Sequence, residues 1–102
     1  MVSTSMQLSH PGSILLDLFI EPLDLTQAEV AEALDVSASS LNRVITGVSG
    51  ISSDMALRIS HVFGGDPDAW TSLQSQYDLE KSKAKVDVSR LKVLNPVKGR
   101  TD

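Results

Sequence analysis

The stretch from Leu23 to Gly47, LDLTQAEVAEALDVSASSLNRVITG, decides how this chain folds. Thr26 followed three residues later by Glu29 is a capping box. Hydroxyl and carboxylate each take a backbone N–H that the first turn of a helix leaves free. A helix is therefore predicted from about Gln27 to Leu34. Asp35, Val36 and Ser37 make a short polar break with one apolar residue in it, and Ser37 suits the N-cap of a second helix, about Ala38 to Thr46. Two short helices joined by so tight a break form a helix-turn-helix if the second can lie in the DNA major groove while the first crosses the backbone. Ala31 is small enough for a close helix crossing, and Val36 can plug the turn. Leu41, Val44 and Ile45 would face the core.

That register leaves Ala38, Ser39, Asn42, Arg43 and Thr46 outward, the face a recognition helix must present. The chemistry of each suits a base edge. Arg43 can take guanine bidentately and Asn42 adenine, Ser39 can bond to either kind of edge, and the Ala38 methyl can meet thymine. Ser37 and Ser40 read as caps, a role compatible with DNA contact. The free N–H groups at the start of the first helix of the pair, together with Gln27, are placed to clasp a phosphate. In isolation Arg43 would read as a solvated surface residue. In this setting a base or phosphate contact is the better reading.

Outside the pair, Pro11 opens a helix expected to run to Ile20, with Ile14, Leu15, Leu18 and Phe19 on one face and Pro22 as its stop. Gly47 and Gly50 bracket a turn. Ser52 or Ser53 then caps a helix carrying Met55, Ala56, Ile59 and Phe63, which Gly64 ends. Asp66 and Pro67 open a fifth helix with the stripe Trp70, Leu73 and Tyr77, expected to fray after Glu80. Such a stripe reads as core or dimer contact rather than as a ligand box. The whole is an all-α, five-helix bundle with a helix-turn-helix. Residues 1–9 form an N-terminal extension, 10–84 the DNA-binding domain, and 85–102 a flexible basic C-terminal tail.

Composition narrows the function classes. A chain of 102 residues, 41% of them hydrophobic, supports one domain and one modest core. With no cysteine there is neither a disulfide framework nor a thiolate metal site, and a reducing cytoplasm fits. No apolar run approaches a membrane span, and the start resembles no signal peptide. His10 and His61 lack partners at metal-ligand spacing, so no metal or other cofactor is expected. No nucleophile elbow, phosphate-cradling glycine loop or acid–base set is recognisable, so no enzyme is expected either.

Charge is the feature that fits DNA binding least, since the chain carries a net charge of −4. Residues 1–63 hold seven acids against Arg43 and Arg58, a net of −5. Residues 81–100 hold seven bases against Asp87, a net of +6. The basic tail fits a DNA-tracking arm or a plain solvated terminus. The acidic body also fits a helical interaction module that neutralises a basic partner and never meets DNA.

The Leu23–Gly47 run resembles the phage-repressor-like XRE helix-turn-helix family. Together with HPGSILLDLFIEPLDLTQ from His10, GISSDMALRISHVFG from Gly50 and DPDAWTSLQSQYDLE from Asp66, it is similar to the HigA family of antitoxins. That likeness covers residues 10 to about 80. It implies a homodimer on a palindrome in double-stranded operator DNA, repressing its own promoter, and a HigB-like, mRNA-cleaving toxin held inactive. A phage-type or metabolic repressor without a toxin is the alternative. The chain departs from the family pattern after Gly47, where relatives carry lysine or arginine and this sequence has Val48 and Ser49. A phosphate contact is then missing, to be made up by dimerisation first, or by helix N-termini or the tail from Lys81 onward.

Overall fold

The computed structural model describes residues 9–94. It is all-helical, with α1 at Pro11–Leu15, α2 at Gln27–Leu34, α3 at Ala38–Ile45, α4 at Ser53–Phe63 and α5 at Pro67–Lys85. The caps read from sequence are in place. Thr26 Oγ1 accepts from the Glu29 N–H at 3.0 Å, while Glu29 Oε1 accepts from the Thr26 N–H at 2.8 Å. Ser37, Ser52 and Asp66 accept from the N–H groups of Ser40, Met55 and Asp68. Ser52, rather than Ser53, caps α4. Each such bond removes an unsatisfied donor and stabilises its helix by roughly 1 kcal/mol.

Two boundaries differ from expectation. The first helix does not stop at Pro22. After Leu15 it widens into a π-helix over Leu16–Ile20, tightens into a 3-10 turn over Glu21–Leu23, and closes at Asp24, whose φ is +57°. Pro22 takes the second position of the 3-10 turn, whose helical φ matches the value its ring imposes. The π turn advances less angle per residue than an α turn, so the buried positions fall five apart, at Leu15 and Ile20. Leu18, which an α register would bury, is 65% exposed. Phe19 instead packs edge-on to Phe63 and against Trp70, with ring centroids 5.7 and 5.5 Å away. The other difference is α5, which runs on past Glu80 to Lys85. Lys83 and Lys85 in its last turn favour the negative end of the helix dipole, and Lys83 pairs with Glu80 at 3.1 Å.

The core draws on all five helices. Leu15 from α1, Val30, Ala31 and Leu34 from α2, Leu41 and Val44 from α3, Ala56 and Ile59 from α4 and Trp70 from α5 are buried together. Val36 packs against this cluster from the turn. Leu73, expected in the same stripe as Trp70, is instead exposed, at 36%. Gly12 is where α1 meets α3, and a methyl group placed there would fall 1.8 Å from the Val44 carbonyl oxygen. Beyond α5 a 3-10 turn at Val88–Arg90 follows, with Val86, Val88, Leu91, Val93 and Leu94 all exposed. Residues 1–8 of the extension and 95–102 of the tail lie outside the described residues. Among those described, no helix is long and apolar enough to cross a membrane.

Candidate nucleic-acid interface

The turn between α2 and α3 is held in two ways, by its own backbone and by a side chain of α4. Asp35 takes a left-handed conformation with φ +59°, so that its N–H and that of Val36 donate back to Glu32 and Ala31. Aspartate is among the few side chains that enter this region at modest cost. Arg58 of α4 then reaches across. Its Nη1 donates to the carbonyls of Leu34 at 2.8 Å and Asp35 at 3.0 Å, and its Nε pairs with Asp54 at 3.2 Å. These carbonyls belong to the end of α2, where no helical donor remains, and a guanidinium there also meets the negative end of the helix dipole. Sequence reading counted Arg58 only as one of two cations in the acidic body. The two carbonyls it meets lie 24 and 23 residues away, so no local pattern could reveal them, and only the Asp54 pair is local.

On this support α3 turns Leu41, Val44 and Ile45 inward and leaves Ala38, Ser39, Ser40, Asn42, Arg43 and Thr46 exposed, as its helical register required. Ser37, exposed at the N-cap, accepts from the Ser40 N–H and donates its hydroxyl to Ser40 Oγ, each at 3.0 Å. Thr46 donates its hydroxyl to the Asn42 carbonyl at 2.8 Å, which leaves its methyl and the acceptor lone pairs of the hydroxyl to meet a partner. Arg43 has no protein partner among the described residues and stands free at the surface. Asn42 donates through Nδ2 to Gln27 Oε1 at 3.4 Å, linking the exposed ends of two residues 15 positions apart. Gln27 is thus a brace for Asn42 as well as a group at the start of α2, a role sequence reading did not assign. All eight candidate residues lie in the α2–α3 unit.

A model of the helix-turn-helix family matches residues 18–70, which contain both helices and their support. The chain belongs to that family. Virulence-associated protein I of Dichelobacter nodosus is 36% identical over 86% of this chain and 80% of its own length. The HTH-type transcriptional regulator YddM of Escherichia coli K12 is 33% identical over 83% of this chain and 89% of its own. Among solved structures, the Pseudomonas aeruginosa antitoxin HigA, determined with the higBA promoter, is 40% identical. It superposes with a TM-score of 0.74 over 76% of this chain and 85% of that one. The fold and family read from the sequence are therefore those of HigA-type helix-turn-helix proteins.

Proposed function

We propose that this helix-turn-helix protein is a sequence-specific DNA-binding repressor that works as the antitoxin of a toxin–antitoxin module. The observation that carries DNA binding is the exposed face of α3. Short side chains, one guanidinium that is unpaired among the described residues and one braced carboxamide stand on a rigid helix, backed by a buried apolar face and a pinned turn. Short residues let the helix backbone approach base edges, and the two long polar groups, Asn42 and Arg43, are those that bond bidentately to adenine and guanine. The acidic body cannot hold DNA by bulk charge, so affinity rests on specific contacts and on two copies binding a two-fold site. The likeness to an antitoxin solved with its promoter supports the same reading.

Selection from a random-sequence duplex library by the full-length protein tests it. A recovered palindrome, bound far more tightly than scrambled duplex and with steep salt dependence, is the expected result. Recovery of no sequence, with only weak binding to every duplex, would leave the acidic body as a protein-interaction module. The toxin is tested separately. Co-expression with the product of the adjoining gene should restore growth that this product alone arrests, and no arrest or no rescue would leave repression without an antitoxin role.

A further inference from the structure

Beyond the face of α3, the fold assembles a polar recess from three separated parts of the chain. His10 stands at the start of α1, Gly47 to Gly50 form the loop leaving α3, and Gln74, Tyr77, Asp78 and Lys81 come from α5. We propose that this recess binds a phosphodiester of the DNA backbone beside the C-terminal end of α3, with Lys81 supplying the cation. The proposal rests on the DNA-binding reading above.

The position argues for this first. A recognition helix sets its N-terminal residues against the base edges, and the C-terminal end of the eight-residue α3 lies about 12 Å further along, toward the edge of the groove. With the face of α3 in the groove, the chain leaving its last turn meets the phosphate rim. The loop is held there against α5, because Gln74 Oε1 accepts from the Ile51 N–H at 2.7 Å. Its Gly47 turns back at φ +84°, with the His10 ring close above it.

Donor chemistry is the second argument. Among the described residues, the Val48 and Gly50 N–H groups find no acceptor. The His10 imidazole offers an N–H in either tautomer, and its ring is fixed edge-on to Tyr77 with centroids 6.1 Å apart. Lys81 Nζ sits 5.4 Å from the centre of the Tyr77 ring, so an aromatic face seats the ammonium at the recess. The opposing charge is Asp78, whose Oδ1 accepts from Gln74 Nε2 at 3.0 Å.

Third is the scarcity of cations. Arg43 and Arg58 are the only bases before residue 81, and Arg58 is committed to the carbonyls of the α2–α3 turn. Lys81 is therefore the cation that tertiary structure brings to the loop after α3, where the local sequence offers Val48 and Ser49.

The test titrates the full-length protein and two variants, Lys81→Gln and Asp78→Asn, against the library-selected duplex and a scrambled duplex at several salt concentrations. Lys83→Gln, two positions along the helix and directed away from the recess, is the control. A phosphate contact predicts that Lys81→Gln weakens binding to both duplexes by a similar factor. The slope of log affinity against log salt should fall by about 0.9 for each protomer bound. Asp78→Asn, which keeps an acceptor for Gln74 but removes the charge, should strengthen binding to both. The proposal is overturned if Lys81→Gln keeps the wild-type salt slope, if Lys83→Gln changes it equally, or if the loss is confined to the selected duplex. Failure of the wild-type chain to bind any duplex would instead overturn the DNA-binding reading itself.

Discussion

Asn42 of α3 donates its side-chain N–H to Gln27 Oε1 of α2 across 3.4 Å, although both side chains are exposed. The contact favours the orientation of the Asn42 carboxamide in which its Nδ2 faces Gln27. Gln27→Ala should therefore leave the fold intact, since neither group is buried, and cost about 1 kcal/mol of affinity for the selected duplex. Discrimination at the base pair facing Asn42 should weaken with it. Titration against single-base variants of that duplex, alongside thermal unfolding, separates the two effects.

Among the described residues, Arg43 is the one unpaired guanidinium on the recognition face. Arg43→Ala is expected to lower affinity for the selected duplex by roughly 1 to 3 kcal/mol and to relax preference at one position. A gel-shift titration with unchanged affinity would remove Arg43 from the interface.

Arg58 works on stability instead. Arg58→Ala leaves the carbonyls of Leu34 and Asp35 without the donor they have at 2.8 and 3.0 Å and frees Asp54. The side chain is about one-third exposed, so water replaces part of what is lost and the cost should be about 1 to 2 kcal/mol. Lys in its place can meet one carbonyl but lacks the fork that reaches all three partners, so Arg58→Lys should recover only part of the loss. The denaturant midpoint reports both.

Gly12→Ala places a methyl group against the backbone of α3, 1.8 Å from the Val44 oxygen. Helix propensity alone would favour alanine by about 1 kcal/mol. The clash is with backbone that cannot swing aside, so the net change should be destabilising by about 1 to 3 kcal/mol, the range for overpacked cores. A fall in Tm checks it, and a rise would show that α1 can move away from α3 at little cost.

Much of this molecule follows from rules that act over three or four residues. The starts of α2, α3, α4 and α5 are written in Thr26, Ser37, Ser52 and Asp66, because a cap is a contact between a side chain and the N–H groups just after it. The outward set on α3 is legible for the same reason, since a 3.6-residue period places Leu41, Val44 and Ile45 on one side and Asn42 and Arg43 on the other. Local rules placed Leu15 and Phe19 of the first helix correctly but misread Leu18, which faces out because the π turn changes the period itself.

Which residues form the helix pair, and which of them face outward, the sequence determined alone, through bonds and periodicities that close within a turn. Tertiary structure decided what each distant polar group does there. It turned Arg58 into a clamp on the α2–α3 turn, made Gln27 a brace for Asn42, required a hydrogen at Gly12, and carried Lys81 to the loop after α3. These are meetings between residues 15 to more than 30 positions apart. Their distances depend on how whole helices pack, which no short window of sequence contains.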